Sequence, residues 1–279
     1  MTLFNPIELR NRIEQVGDLP TLPHVVQRLA TMIGSPTVSA EEIGTIIERD
    51  QVLAAKVLRL ANSPFYGFPS RIGSVSHAVI VLGFNVVKGL TLCASALTIM
   101  KDAGMNQLWR HSLGVAITAK LLATRLEIKN SEELFVSGLL HDIGKVVLYV
   151  KWPDVGNSIK DALKTRHDHS LFDVEFELTG LSHAEIGGYL AGAWHLPVTL
   201  REPILSHHHP TQAKDATLQT AIVHVADILV KGLACGNPGD DLIPPLAKPA
   251  WEQVGLDERS LAECIDKASQ EFLTIDDYL

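Results

Sequence analysis

Residues 139–145 have the sequence LLHDIGK, and the interpretation of the whole chain starts from them. Histidine and aspartate are natural ligands of divalent transition metals, and neighbouring residues on a helix point about 100° apart. His141 and Asp142 at a helix end can therefore converge on one ion, although such a pair by itself is a weak indication. Gly144 permits a close backbone approach or a helix end, and Lys145 adds a cation. The stretch predicts a histidine and carboxylate metal site.

Candidate partners for this site lie on both sides of it. They are His111, His183, His207, His208 and Asp227. Asp227 stands in an apolar run, where a carboxylate needs a partner or a metal. Ordinary structural roles stay open, since His183 could cap its helix, Asp227 could be a helix N-cap, and Lys145 could complement a helix dipole. Of the three consecutive histidines, we expect the first two to bind and His209 to face solvent.

Hydrophobic spacing and caps predict an all-α fold. Ser39 with Glu42 has the pattern of a capping box, Asp50 suits the N-cap of the next helix, and residues 62–64 (Asn-Ser-Pro) end that helix. Residues 78–82 are the most strand-like piece, but their neighbours favour a buried helix. No segment alternates with period two for long enough to require a strand.

Later helix predictions rest on fewer residues. Asn85 is expected to cap a long apolar helix, and Asn130 with Glu133 is expected to cap the helix that carries the His-Asp pair. Residues 235–249 contain four prolines and two glycines, which indicates a loop. One amphipathic helix is expected over about residues 251–273.

A domain boundary is expected near residue 100. Residues 1–100 would form an N-terminal helical subdomain with few groups suited to chemistry. Residues 101–279 would form the subdomain with the metal site and a C-terminal helical extension, and they contain ten of the twelve histidines.

Composition narrows the class of protein. The net charge of −8 argues against nucleic acid as a partner, because nucleic-acid binding depends on cationic surface. It also argues against the interpretation of residues 39–62 as a helix-turn-helix. Three scattered cysteines suit a reducing cytosol rather than a disulfide framework. No window reaches about 18 uninterrupted apolar residues, and residues 1–6 lack the features of a secretory signal. We expect a soluble cytoplasmic protein without a membrane segment.

The order of the candidate ligands resembles the H…HD…D pattern of the HD superfamily of metal-dependent phosphohydrolases. The residues that match are His111, His141, Asp142 and Asp227. Others resemble the added ligands of the two-metal branch that includes the HD-GYP phosphodiesterases. They are His183, His207 and His208. The resemblance implies one or two divalent transition-metal ions, with iron, manganese, zinc and nickel as the candidates.

Further segments narrow this resemblance to the HDOD family. They are residues 19–23, 59–66, 72–83 and 194–197. The resemblance covers about residues 17–230 and leaves the tail beyond Cys235 unexplained. It implies an HD-domain-like helical bundle with an N-terminal helical subdomain. It also implies a bacterial signalling or output module with a signalling protein partner, although many HDOD domains have lost the ligands that this chain has.

Two functions are open at this point. In the first, the metal site is structural or sensory and the protein acts by binding its partner. In the second, the chain is a metal-dependent phosphohydrolase or phosphodiesterase on a phosphorylated small molecule, a nucleotide or a cyclic dinucleotide. Asp142 and Lys145 would then be catalytic residues, and Lys145 would stabilise negative charge on the phosphate oxygens. Residues 211–215 (TQAKD) replace the Gly-Tyr-Pro loop that HD-GYP enzymes use on cyclic-di-GMP, which favours the first function.

Overall fold

The computed structural model describes residues 39–273 apart from 67, 69 and 167, together with residues 8, 25, 28 and 29. These residues form α-helices, short 3-10 and π-helical turns and connecting loops, and none of them is in a strand. The all-α prediction is confirmed. Residues 19–23, which carry part of the family resemblance, lie outside the described residues.

The first half of the described chain is a group of four helices. They are α1 (Ala40–Glu48), α2 (Gln51–Ala61), α3 (Val75–Leu82) and α4 (Phe84–Asp102). Ser39 and Glu42 form the predicted capping box, and Asp50 caps α2 by accepting a hydrogen bond from the Leu53 N–H at 3.0 Å. Residues 78–82 are helical as predicted, because they belong to α3.

The predicted cap at Asn85 is wrong. Helix α4 already begins at Phe84, and the residue before it, Gly83, makes no side-chain cap. Gly83 has a φ of 83°, and its N–H donates to Val79 O at the end of α3. This one glycine therefore ends α3 and starts α4, because a glycine adopts positive φ without steric cost.

The second half continues with ten helices in the described residues. They are α5 (Asn106–Arg125), α6 (Ser131–Leu140), α7 (Ile143–Val146), α8 (Pro153–Leu163), α9 (Leu171–Thr179), α10 (His183–Ala193), α11 (Val198–Ser206), α12 (Thr217–Gly232), α13 (Lys248–Val254) and α14 (Glu258–Phe272). A π-helical turn (Val147–Lys151) follows α7, and a 3-10 turn (Pro210–Gln212) follows α11.

Two predictions about this half need correction. Asn130 precedes α6 but has a φ of 62°, and its side chain makes no cap hydrogen bond with the Glu133 backbone. The single predicted helix over residues 251–273 is two helices, α13 and α14. Gly255, with a φ of 62°, ends α13, and the Asp257 side chain caps α14 by accepting from the Ser260 N–H.

Helix α5 lies at the centre of the second half and packs against α6, α12 and α14. Its approach to α6 is close, since a Cβ on Gly138 would lie 2.5 Å from Ala116 Cα. One continuous cluster of buried apolar side chains includes residues from Leu29 to Cys264 and spans both halves. The predicted boundary near residue 100 falls at the end of α4, and the division into 1–100 and 101–279 stays a prediction.

Two further sequence predictions concern disulfide bonds and membrane-spanning segments. All three cysteines are buried and unpaired, which agrees with the expectation of no disulfide framework. Within the described part of the chain, none of the helices has the length and apolar character needed to cross a bilayer.

Candidate metal centre

The His-Asp pair lies at the break between α6 and α7. His141 follows the last residue of α6, Asp142 precedes α7, and both side chains are buried. The His141 Nδ1 lies 2.7 Å from Gly138 O. A carbonyl oxygen only accepts, so Nδ1 carries the proton and the Nε2 lone pair is available to a metal.

Gly144 brings this break against the start of α10. A Cβ at this position would lie 1.9 Å from the His183 carbonyl oxygen and 2.9 Å from Gly187 N. Both are backbone atoms, so no side-chain rotation relieves the clash. Of the two roles predicted for Gly144, the structure shows the close backbone approach, and this approach brings Asp142 next to His183.

Replacing Gly144 with alanine is expected to lower the free energy of unfolding by about 1–3 kcal/mol or more, because overpacking forces backbone shifts. Gly192 on α10 is a matched control, because a Cβ there would meet no atom within 4 Å. Gly192→Ala is expected to raise stability by about 0.5–1 kcal/mol, as alanine is the better helix former. Urea denaturation of both variants measures the difference, and equal effects would contradict the packing described here.

The first cluster consists of His111 on α5, His141, Asp142 and Asp227 on α12. His111 Nε2 lies 3.0 Å from Asp227 Oδ1 and 3.7 Å from Asp142 Oδ2. His141 Nε2 lies 3.3 Å from Asp142 Oδ2 and 3.9 Å from Asp227 Oδ1. Asp227 is in the middle of α12, which excludes the alternative that it is a helix N-cap.

The second cluster consists of His183 on α10 with His207 and His208 after α11. Their ligand atoms lie within 4.8 Å of one another, and the Nε2 atoms of His183 and His208 are 2.9 Å apart. Asp142 Oδ1 lies 3.2 Å from His183 Nε2 and 3.8 Å from His207 Nε2. Asp142 therefore turns one oxygen to each cluster. His209 is exposed, as predicted.

Two histidines of the second cluster are oriented in the same way as His141. His207 Nδ1 lies 2.9 Å from Ile204 O, and His183 Nδ1 lies 2.6 Å from a Glu175 carboxylate oxygen. Both partners accept only, so each Nδ1 carries the proton and each Nε2 is a free donor atom for a metal. Ser182, not His183, is the N-cap of α10, which excludes the capping alternative for His183.

Glu175 on α9 is a functional residue that the sequence analysis missed. It is fully buried and also accepts a hydrogen bond from the His183 backbone N–H at 2.8 Å. A carboxylate that accepts from Nδ1 fixes the ring and makes the histidine a stronger ligand. The available indication was its position on the apolar face of α9, four residues after Leu171 and three before Leu178.

Glu175→Ala is expected to weaken metal binding by about 10- to 100-fold, which is typical for loss of the partner that orients a ligating histidine. Glu177 is a control on the opposite face of the same helix, where it forms an exposed ion pair with Arg166. Glu177→Ala should leave metal affinity unchanged. Competition with a chromophoric chelator measures both affinities, and an unchanged affinity in Glu175→Ala would contradict the assigned role.

The donor atoms of the two clusters fit a divalent metal. Several of them are buried without a hydrogen-bond partner and face one another. They are Nε2 of His111, His141 and His207, Oδ1 of Asp142 and Oδ1 of Asp227. Leaving buried polar atoms unpaired is costly, and imidazole nitrogens with carboxylate oxygens are a ligand set that suits iron, manganese, zinc and nickel.

The protonation states of the candidate ligands also favour metal binding. Burial lowers the pKa of the His111 imidazole and lowers those of His207 and His208 well below the usual value, so these rings are neutral. At Asp142 burial favours the neutral carboxyl, but His141 and the Lys145 ammonium outweigh it and hold the pKa well below its usual range. Neutral imidazole and ionised carboxylate are the forms that bind metals.

At two further ligands a neighbouring group outweighs burial. Burial alone raises the pKa of the Asp227 carboxyl, but the adjacent His111 imidazole holds it well below its usual value. Burial alone lowers the pKa of His183, but the Glu175 carboxylate raises it above its usual value. The first effect keeps Asp227 ionised, and the second increases the basicity of His183 as a ligand.

Lys145 lies within the site rather than at its edge. Its Nζ is 2.7 Å from Asp142 Oδ2, and the residue is buried. The Lys145 ammonium is therefore paired with the Asp142 carboxylate, and this ion pair, rather than the dipole of the single-turn helix α7, is its main electrostatic interaction. The predicted catalytic roles of Lys145 and Asp142 stay predictions. Glu185, two residues after His183, caps α10 by accepting from the Ser182 N–H and does not join either cluster.

The fold and these clusters define an all-helical protein with a buried histidine and aspartate centre suited to divalent metal ions. The HDOD domain model matches residues 19–210, and the chain belongs to the HDOD family.

Similar proteins agree with this assignment. An HDOD domain protein of unknown function from Geobacter sulfurreducens has a solved structure with a TM-score of 0.72 and 29% identity, covering 97% of this chain and 96% of that chain. A protein from Shewanella amazonensis SB2B, described as a candidate phosphohydrolase, has a TM-score of 0.65 and 25% identity, covering 92% and 93%. An uncharacterised protein of Treponema pallidum is 27% identical over 210 residues, which is 72% of this chain but only 40% of that relative.

Proposed function

We propose that this chain is a bacterial HDOD signalling or output module that keeps a two-ion metal centre of the HD type. The centre holds divalent transition-metal ions in a structural or sensory role, and the protein acts by binding a signalling protein partner. We place it in the cytoplasm. Iron, manganese, zinc and nickel are the candidate ions.

The burial of the ligand side chains carries this proposal. Six of the seven candidate ligands are at most 3% exposed, and only His208 is partly exposed. Structural metal sites are closed by protein ligands, whereas catalytic sites keep an open position for substrate. The chain after His209 supports the same choice, because it forms a 3-10 turn (Pro210–Gln212) and has no Gly-Tyr-Pro loop.

A metal-dependent phosphohydrolase or phosphodiesterase on a nucleotide or cyclic dinucleotide is the second candidate. The observation in its favour is that Asp142 faces both clusters while the Lys145 ammonium lies beside it. Two divalent ions held by these residues would supply Lewis-acid activation of a phosphate ester. In that case Lys145 would stabilise charge on the phosphate oxygens. The description of the Shewanella amazonensis relative points in the same direction.

A substrate panel separates the two candidates. Purified protein is assayed with added Mn²⁺ on aryl phosphate mono- and diesters, nucleotides and cyclic dinucleotides, beside the variants His141→Ala and His209→Ala. His209 is the matched control because it is adjacent to the second cluster but exposed. We expect no turnover that depends on His141. Turnover that is lost in His141→Ala and kept in His209→Ala would establish the phosphohydrolase function and overturn the proposed signalling function.

A further inference from the structure

Residues 235–247 connect α12 to α13 and begin beyond residue 210, where the family match ends. We call this segment the strap. It contains no helix or strand, which agrees with the predicted loop. Three of its contacts with the rest of the chain nevertheless lie beside a candidate metal ligand or a group that supports one.

The first place is on α5, at His111. The Asn237 N–H donates to Gln107 O at 3.1 Å. Gly236 has a φ of 73°, and a Cβ on it would lie 2.3 Å from the backbone nitrogen of His111. The strap therefore packs directly against the turn of α5 that carries the ligand, and only a glycine fits there.

The second place is at the start of α9. Asp240 accepts a hydrogen bond from the Leu171 N–H at 2.6 Å and forms an ion pair with Lys231 at 2.9 Å. Both side chains of the ion pair are at most 8% exposed. Leu171 is the first residue of α9, and Glu175, one turn later, orients His183. Asp240 therefore fixes the end of the helix on which the orientation of His183 depends.

The third place is at His207. The Ala247 N–H donates to His224 Nε2 at 3.0 Å, and His224 Nδ1 lies 2.7 Å from His207 O. The nitrogen that accepts leaves the other one as the donor, so the two bonds define one neutral tautomer. His224 thus links the end of the strap to the backbone of a second-cluster ligand.

We propose that the strap is a positioning element of the metal centre, and that Asp240 is its principal positioning residue for the second cluster. This inference rests on the proposed metal centre and adds a part that lies outside the family match. Ion pairs this deeply buried contribute little net stability compared with an apolar pair. Asp240 instead joins α9 to α12, the helices that carry Glu175 and Asp227, in one fixed arrangement.

The test is Mn²⁺ binding by the full chain, measured by equilibrium dialysis together with the electron paramagnetic resonance signal of a coupled Mn²⁺ pair. In Asp240→Ala we expect the affinity for the second ion to fall by about tenfold or more, because loss of a group that supports a ligand typically weakens metal binding this much. The signal of the coupled pair should weaken as well. Asp240→Asn keeps an acceptor for the Leu171 N–H and should bind closer to wild type. Asp154→Ala removes an exposed carboxylate on α8, outside the strap, and should bind like wild type.

Several outcomes would overturn the proposal. If Asp240→Ala binds Mn²⁺ as the wild type does, and the wild type binds two ions, the positioning role of the strap would be refuted and the proposed metal centre would stand. Equal losses in Asp240→Ala and Asp154→Ala would assign the effect to a general loss of stability, which the thermal midpoints of the metal-free variants measure independently. Asp240→Asn as weak as Asp240→Ala would refute the route through Leu171. A wild type that binds no Mn²⁺ would overturn both the strap and the proposed centre.

Discussion

Replacing Asp142 with alanine is expected to remove metal from both clusters at once. Its Oδ2 faces His111 and His141, and its Oδ1 faces His183 and His207. Each of its two carboxylate oxygens thus faces a different cluster. We expect affinity to fall by at least the ~100-fold that loss of a partner orienting a ligand produces, so that metal content after dialysis approaches zero.

Elemental analysis of the purified chain measures this effect. Asp154 is the matched control, because its side chain is exposed on α8 and takes no part in either cluster. Asp154→Ala should keep the wild-type metal content. His208→Ala is expected to lose the ion of the second cluster and keep that of the first. Full metal content in Asp142→Ala would contradict the bridging position of this carboxylate.

Removing the metal from the wild-type chain is expected to lower its thermal midpoint by about 10 °C. Ions that bind only the folded state stabilise it by about 4 kcal/mol at 1,000 times their dissociation constant. For a chain of this size, each kcal/mol shifts the midpoint by about 2–4 °C. Without ions, the buried donor atoms of His111, His141 and Asp227 lack partners, and the cost of leaving them unpaired is part of this free energy.

Calorimetry before and after dialysis against a chelator measures this shift, and adding Mn²⁺ or Zn²⁺ back should restore the midpoint. Asp142→Ala supplies the internal control, because its midpoint should be the same with and without chelator. A wild-type midpoint that does not respond to the chelator would show that metal does not stabilise the fold.

Local chemistry explains which helix predictions were correct. Ser39 and Asp50 cap their own helices through side-chain oxygens only three residues from their partners, so the pattern is visible in the sequence. Asparagine is harder to interpret, because it suits both an N-cap and the left-handed backbone region. Asn130 takes the left-handed conformation, and the glycine at residue 83 begins α4 ahead of Asn85.

The candidate ligands could be predicted because their order along the chain resembles a known pattern. The structure brings all seven predicted ligands together in two adjoining clusters. The groups that orient them have no such pattern. Glu175, His224 and Asp240 reach the ligands or their supports across 8, 17 and 69 residues of sequence. Contacts of this kind arise only when the helices pack, so spacing in the sequence does not reveal them.

The proposed centre requires that Asp142 would hold one metal ion on each of its two carboxylate oxygens. A crystal structure of the chain loaded with Mn²⁺ or Zn²⁺, with anomalous scattering recorded at the metal edge, tests it most directly. We predict two anomalous peaks on opposite sides of the Asp142 carboxylate, with imidazole and carboxylate donors at about 2.0–2.2 Å. No peak in either cluster, or a single peak that Asp142 does not contact, would contradict the proposed centre.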